Sequence, residues 1–299
     1  MRYQYQVMNF RKPTLEVIDQ ANQIISSYQA KGFDLTLRQL YYQFVARDLL
    51  ANTDKNYKRL GNIVSDGRLA GLISWDAILD RTRLLYGTNH WDDPAQMVRE
   101  KADSYAIDKW DPQKHRVEAW VEKDALRQVV GQAANSLDID YFSCRGYVSQ
   151  SAMWRAAMRL VRYERNGQYP IVLHLGDHDP SGIDMTRDIR DRLRLFGCRK
   201  TEVKRIALTM DQIRDQNPPP NPAKVTDSRY ESYVFEYGEE SWELDALDPQ
   251  FIVDLITDHT LGYRDSKRWK EMVDREEKHK EALERACDEM ETWLEEELS

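Results

Sequence analysis

The chain has 299 residues and a formal net charge of −8; 41% of its residues are hydrophobic and 31% are charged. This composition predicts a globular protein of two domains with an appendage, and no apolar run approaches the roughly 20 residues of a membrane span. The N-terminal segment MRYQYQVMNFRK lacks the apolar core of a signal peptide, and the three scattered cysteines match neither a zinc site nor a disulfide framework. We therefore expect a cytoplasmic protein with no membrane partner.

The acidic charge is concentrated in the C-terminal half of the chain. Residues 1–150 carry 20 Lys and Arg against 19 Asp and Glu, so the acidic surplus falls after residue 150. A net negative charge argues against a nucleic-acid partner, whereas a near-neutral first half with local basic clusters leaves such a partner open.

Residues 1–110 are predicted to be helical. Helical apolar spacing runs through PTLEVIDQANQIISSYQAKG, and TLRQLYYQFVARDLL opens with a capping box of Thr36 and Gln39. The third candidate helix, KNYKRLGNIVSDGRLAG, carries several basic residues, while LISWDAIL fits either a strand and wing or another helix. Three short helices with a basic third one favour a winged-helix-like DNA-binding domain.

Residues 111–230 alternate strand-like and helix-like segments, which predicts an α/β unit with a mostly parallel sheet. The strand-like segments are RVEAWVE, IDYFSCRGY, PIVLHLGDHD and EVKRIALT. NPPPNPAK is predicted to be a stiff extended loop that leaves this unit. Residues 231–299 are predicted to be a helical extension ending in one long helix, whose apolar stripe favours an intramolecular docking face over a coiled coil. The expected fold class is therefore a multidomain α+β protein with an α/β sheet unit and a long C-terminal helix.

Two carboxylates stand one residue apart in IVLHLGDHDPSGID, where a buried strand ends in a turn. Asp177 and Asp179, at i and i+2 of an extended segment, can converge on one cation, although turns of this kind often bind nothing. Glu122 follows the strand RVEAWVE and is either a third ligand or a helix N-terminal acid, with Glu118 as an alternative ligand. Because ligands bind beyond the carboxyl ends of parallel strands and all-oxygen sites suit hard cations, the sequence predicts a Mg²⁺ or Mn²⁺ site. His178 is expected to point away from it.

These motifs, in this order, resemble the Toprim domain of topoisomerases, primases and some nucleases. The segments RQLYY, VEKDAL, SCRGYVSQSAMWRAAMRL and LHLGDHDPSGIDM are similar to the topoisomerase VI A subunit and the related meiotic double-strand-break transesterase family. The resemblance covers about residues 35–230. It departs from the family at His178, between the aspartates, and at Val148 and Ser149, where the family often has proline. It implies a winged-helix domain followed by a Toprim domain.

The resemblance also implies a DNA-cleaving, topoisomerase-like enzyme. Tyr42 maps to the nucleophile that forms a tyrosyl-phosphodiester link, and Arg38, one helical turn earlier, maps to the residue that supports the scissile phosphate. Glu122, Asp177 and Asp179 map to the acids that bind Mg²⁺. The implied partners are double-stranded DNA and a second copy of the chain, because the family builds each site from the tyrosine of one protomer and the acids of the other. Nucleoid association would follow from binding DNA.

Several expectations complete this interpretation. The sequence contains no G-x-x-x-x-G-K-[ST] motif, so an ATPase activity would have to come from a separate B-like partner. Tyr41 is expected to be a packing residue, and Glu243 and Asp245 in ESWELDAL are expected to be structural. Two alternatives remain open: a Toprim-type metal-dependent nuclease that uses water, with Tyr42 inert, and a non-catalytic DNA-binding protein.

Overall fold

The structure is a computed structural model that describes residues 2–78 and 88–298. Its N-terminal part is helical, as predicted. Three helices are followed, after the undescribed residues 79–87, by a fourth: α1 (Lys12–Gln29), α2 (Leu37–Ala46), α3 (Asp54–Leu69) and α4 (Pro94–Asp103). The predicted capping box is confirmed, because the Thr36 side chain accepts a hydrogen bond from the Gln39 backbone and the Gln39 side chain accepts one from the Thr36 backbone. This box fixes where α2 begins.

The segment LISWDAIL forms neither the strand nor the α-helix considered from its sequence, within the residues that the structure describes. Trp75–Ala77 is a 3₁₀ turn, and Ile78 makes an isolated parallel bridge with Leu35. Trp75 is held from two sides, by the Tyr5 ring at 5.7 Å and by the Arg68 guanidinium at 5.7 Å. Leu79, the last residue of the segment, lies outside the described residues.

The middle of the chain forms a four-stranded parallel sheet, which confirms the mixed helix and sheet expected there. Its strands are β1 (His115–Val121), β2 (Asp140–Ser143), β3 (Tyr169–Leu175) and β4 (Glu202–Ala207), in the order β2-β1-β3-β4. The alternating helices are α5 (Arg127–Ser136), α6 (Gln150–Arg165), α7 (Pro180–Leu195) and α8 (Met210–Gln216). β2 is shorter than IDYFSCRGY because Arg145 and Gly146 adopt positive φ angles of 54° and 81°, which are incompatible with an extended strand.

Side chains on the two faces of the sheet enter two separate cores. Val117, Ala119 and Val121 of β1 pack in one hydrophobic cluster with residues of α5, whereas Trp120 packs in the other cluster with residues of α6 and α7. This follows from the period-2 alternation of a strand, and it explains why the strand sequences read as nearly continuous apolar runs. The sheet is therefore covered on both faces, and its carboxyl edge is left to carry polar groups.

The chain returns to this carboxyl edge after the predicted loop NPPPNPAK. β5 (Asn221–Pro222) belongs to that segment and pairs antiparallel with β6 (Glu240–Ser241). Helix α9 (Tyr230–Tyr237) lies between the two strands in the sequence. Trp242 then bridges to His178, and a 3₁₀ turn at Leu244–Ala246 follows. As a result, residues more than 60 positions after the D-x-D segment lie against it: the Leu244 backbone is hydrogen-bonded to Asp177, a separation of 67 residues.

Two helices complete the chain, α10 (Pro249–Leu261) against α5 and α11 (Ser266–Leu298) along α4. The predicted long C-terminal helix is confirmed, and it lies against its own chain. Polar contacts hold α11 against the rest of the chain: Glu276 accepts from Lys109 Nζ at 2.7 Å, and Arg99 Nε donates to Glu291 at 2.7 Å. Met290 of the predicted apolar stripe is 41% exposed, so that part of the stripe is not the contact surface. No helix within the described residues is long and apolar enough to cross a membrane.

The turn DPSG at the start of α7 is a sensitive point of the fold. A Cβ on Gly182 would collide with the backbone carbonyl oxygen of Asp177, so we expect Gly182→Ala to lower the free energy of unfolding by about 1–3 kcal/mol. Urea denaturation measures this change. Gly262→Ala is the matched control, because its Cβ would meet only ordinary contacts at 3.4 Å and beyond. Equal stability of the two variants would contradict this description of the turn.

Candidate functional site

The carboxyl ends of β1 and β3 bring Glu122 and Asp177 together. Val121 is in register with Leu175, and the Glu122 backbone continues the ladder by donating to the Leu175 carbonyl at 2.8 Å. The Asp177 backbone N–H in turn donates to Glu122 Oε2 at 2.9 Å. A Cβ on Gly176 would lie 2.9 Å from that same oxygen, so the glycine leaves the room that the carboxylate occupies. Both acids are buried, and burial raises the pKa of each.

The two aspartates of D-x-D bind different partners in this structure. Asp177 Oδ1 accepts from the Leu244 backbone at 2.7 Å, and its Oδ2 lies 3.0 Å from Lys123 Nζ. Asp179 Oδ1 caps α7 by accepting from the Gly182 backbone at 2.6 Å. Over residues 2–78 and 88–298, no three His, Cys, Asp or Glu side chains are arranged as a ready-made metal-binding group. The predicted acids therefore meet at one edge without converging on a single point.

A lysine between three carboxylates is the electrostatic centre of this edge. Lys123 Nζ lies 2.8 Å from Glu243 Oε2 and 2.8 Å from Asp245 Oδ1, in addition to its contact with Asp177. We refer to Lys123, Asp177, Glu243 and Asp245 as the Lys123 cluster. Burial lowers the pKa of Lys123, but the three carboxylates more than offset this and raise it overall. The ammonium is therefore charged at neutral pH.

The N-terminal helices reach this cluster through α2. Arg38 Nη2 lies 3.5 Å from Glu243, and Arg38 Nε lies 3.8 Å from Asp245. Tyr42, one helical turn later, is 4% exposed; its pKa is raised by burial first and then by Glu243 and Asp245, including a hydrogen bond to Glu243. The candidate nucleophile and the Lys123 cluster thus meet within one chain, whereas the resemblance implies that the tyrosine and the acids of one site come from different protomers.

Three other residues singled out in the sequence lie away from this site or have different roles. The Tyr41 hydroxyl accepts from the Thr53 backbone at 2.7 Å, so Tyr41 anchors the start of α3 through its hydroxyl as well as its ring. Glu118 accepts from Arg159 at 2.8 Å and from Trp120 at 2.9 Å, so its carboxylate is engaged by partners other than those of Glu122. His178 points away, as predicted, and its Nδ1 pairs with the Tyr233 hydroxyl at 2.8 Å.

The sequence did not reveal the contacts that join Lys123, Glu243 and Asp245. Glu243 and Asp245 were expected to be structural, and in the structure they connect α2 to the strand ends. No local pattern marks them, because their partner Lys123 is 120 and 122 residues away in the sequence. The one signal in the sequence was a pair of carboxylates beside apolar residues in SWELDAL, since Asp245 is only 2% exposed and a buried acid needs a partner.

Arg205 of β4 holds the backbone of the D-x-D turn in place. Its guanidinium donates to the carbonyl oxygens of Gly176 at 3.0 Å, Asp177 at 2.6 Å and Gly182 at 2.8 Å. These bonds join the end of β3 to the first turn of α7, so they help to fix the backbone from which the Asp177 and Asp179 side chains extend. Burial lowers the pKa of Arg205, and the nearby carboxylates of Glu122, Asp177 and Asp179 partly oppose this lowering.

Comparison of the chain with protein-family models, with curated proteins and with solved structures finds no match. The site combines a tyrosine hydroxyl, two cations that can contact a phosphate (Arg38 and Lys123), and a set of carboxylates that can accept protons or bind a hard cation.

The Lys123 cluster should respond strongly to removal of its ammonium. Lys123→Gln leaves the buried carboxylates of Asp177 and Asp245 and the partly buried carboxylate of Glu243 without their shared cation, so we expect the free energy of unfolding to fall by about 3 kcal/mol. Adding Asp245→Asn removes one of the repelling charges and should recover part of this stability. A double-mutant cycle measured by denaturant unfolding checks this, with Lys58→Gln as the exposed control. Strictly additive effects of the two substitutions would contradict the cluster.

Proposed function

We propose that this protein cuts double-stranded DNA by transesterification, with Tyr42 as the nucleophile, in a winged-helix and Toprim arrangement similar to the topoisomerase VI A subunit. One observation carries the proposal. Tyr42 and Arg38 both contact Glu243, and Lys123 connects Glu243 to Asp177 at the carboxyl edge of a parallel sheet. A nucleophile, phosphate-binding cations and Toprim-like acids in one place are the parts that such a reaction requires.

Glu243 supplies the proton acceptor for the proposed reaction. Burial raises the pKa of Glu243, but Lys123, Arg38 and Tyr42 lower it overall, so this carboxylate is ionised at neutral pH. It takes the phenolic proton of Tyr42 as the oxygen attacks phosphorus, and the bond from phosphorus to the leaving sugar oxygen breaks. That oxygen takes a proton from water. The reverse attack restores the DNA, and the aryl-phosphate link keeps the phosphodiester energy, so rejoining needs no ATP.

A divalent cation fits the donor chemistry of this edge. Glu122 and Asp179 each use one carboxylate oxygen in a hydrogen bond to the protein and keep the other for a ligand. Asp177 would join them on separating from Lys123. This all-oxygen set suits Mg²⁺ or Mn²⁺, which when bound would neutralise charge on the phosphate. Arg38, which is half exposed, would orient the phosphate next to Tyr42.

A basic cavity in the N-terminal helices supports DNA as the substrate. It has a volume of about 520 Å³ between the start of α1 and α3, and four cationic side chains line it: Arg11, Lys55, Lys58 and Arg59. Within the described residues none of the four has a carboxylate partner, and Asp66 is the single acid of the lining. Unpaired cations on a chain of net charge −8 are suited to phosphate contacts. α2 and α3 are in contact, so this surface and Tyr42 belong to one helical unit.

The proposed partners follow from the same chemistry. A homodimer would provide two tyrosines and so cut both strands of a duplex, and we propose a second copy of the chain as a partner for that reason. Directed strand passage would additionally need a separate ATPase partner, whereas reversible cutting would not. Nucleoid association is part of the same proposal.

Tyr42→Phe tests the nucleophile directly. This substitution removes one oxygen and should abolish both DNA cutting and the covalent adduct, while DNA binding persists because it depends on the basic surface. Retention of labelled DNA on denatured protein measures the adduct. Tyr57→Phe is the matched control, since Tyr57 lies on the neighbouring helix α3. Glu243→Gln should slow cutting by about 10²–10⁴-fold without preventing DNA binding.

The alternatives correspond to different results of this experiment. If Tyr42→Phe cuts DNA as fast as the parent does, metal-dependent hydrolysis by water is the better account of the site. If the parent binds DNA with divalent ions present yet neither cuts it nor forms an adduct, the chain is a non-catalytic DNA-binding protein.

The basic cavity predicts a measurable salt dependence. Lys55→Gln and Lys58→Gln should each weaken duplex binding at all sequences and reduce the slope of log K against log salt by about 0.9 for each phosphate that the protein no longer neutralises. Fluorescence anisotropy at several salt concentrations gives these slopes. Arg194→Gln, an exposed arginine in the last turn of α7, should leave the slope unchanged. Unchanged slopes in both lysine variants would remove the cavity from the DNA-binding surface.

A further inference from the structure

A second cavity opens at the carboxyl end of β2, directly beside the candidate site. Its volume is about 740 Å³, and it is lined by the turn after β1, the end of β2 and the first turn of α6. It lies close to the Lys123 cluster: the Gly146 backbone donates to the Glu122 carbonyl at 3.2 Å, and Asp124 of the lining follows Lys123 in the chain. Its position next to the proposed cutting chemistry makes this cavity relevant to the substrate.

Two buried polar atoms of the cavity lining have no hydrogen-bond partner within the described residues. They are Asp124 Oδ1 and Ser143 Oγ. Buried polar atoms are nearly always satisfied, because leaving one unpaired costs free energy. The other Asp124 oxygen is 3.2 Å from Arg145, so Oδ1 is the atom left over. Both atoms lie behind the cavity wall, and a rotation of the Asp124 or Ser143 side chain would turn an acceptor or a hydroxyl into the cavity.

Cations and aromatic rings line the remainder of the cavity. Arg127 is exposed and has no partner within the described residues, and Arg145 is also exposed and adopts a left-handed conformation with φ of 54°. The Tyr147 ring is fixed, since its hydroxyl donates to Asp184 at 2.6 Å and the Arg229 guanidinium lies 5.3 Å from the ring centre. Phe142 also contributes to the lining.

We propose that this cavity holds one unstacked nucleotide of the DNA strand next to the scissile phosphate, an inference that rests on the proposed function. Arginines bind the phosphate, an aromatic ring stacks on the base, and the Asp124 and Ser143 oxygens meet donors and acceptors on the base edge. The volume of about 740 Å³ is in the range of nucleotide-sized ligand sites. A free nucleotide has the same chemistry, so the experiment distinguishes the two sources.

The test compares two labelled duplexes, one fully paired and one with a single unpaired internal nucleotide. Binding is measured by anisotropy without divalent ions, so that no cutting occurs. A stacked, unpaired base should favour the second duplex about tenfold. Arg127→Gln and Ser143→Ala should reduce this preference several-fold, and neither substitution removes a side-chain interaction seen in the described structure. Arg194→Gln is the control, at the opposite edge of the sheet.

Each outcome decides something different. Disappearance of the preference in Arg127→Gln and Ser143→Ala, but not in Arg194→Gln, supports the cavity as the nucleotide site. An equal preference in all variants, or no preference in the parent, overturns it for DNA. Titration with dAMP then tests the free-nucleotide source: binding that Arg127→Gln weakens retains the nucleotide chemistry, and absence of binding overturns it as well. These results do not depend on cutting, so the nucleophile assigned to Tyr42 can fail separately.

Discussion

The pairing of one partly buried ammonium with three carboxylates holds the candidate site together. Lys123 follows β1, Asp177 follows β3, and Glu243 and Asp245 belong to a turn that returns from the C-terminal part of the chain. None of these charges could be buried alone, since desolvation costs several kcal/mol for each ion. The sheet edge, the returning turn and α2 are therefore placed relative to one another by electrostatic pairing as well as by apolar packing.

This pairing also sets the chemical state of the tyrosine. Burial and the neighbouring carboxylates raise the pKa of Tyr42, and Arg38 only partly opposes them. The hydroxyl is thus kept protonated beside an ionised Glu243, which is the ground state that general-base catalysis requires. A phosphate that draws Arg38 and Lys123 towards itself would weaken their hold on the acids. On the proposed function, substrate and cation thereby change the same contacts that stabilise the site.

Much of the sheet edge could be predicted from local patterns. Apolar runs followed by helical segments indicated parallel strands, and parallel strands bring their carboxyl ends to one edge. Glu122 and Asp177 accordingly lie in contact, because each follows a strand that is paired with the other. The capping box at Thr36 and the long C-terminal helix were also predictable, because both depend on residues that are close together in the sequence.

The sequence by itself determined which residues follow the strands, where α2 begins, and that Arg38 and Tyr42 share one turn of it. Only the tertiary structure decided what these side chains touch. Asp177 turns to Lys123 while Asp179 caps α7, and Glu243 and Asp245 become partners of Lys123 and Arg38. Secondary structure follows from neighbours in the chain, whereas a buried charge is matched by whichever residue the fold brings within about 3–4 Å of it, regardless of separation in sequence.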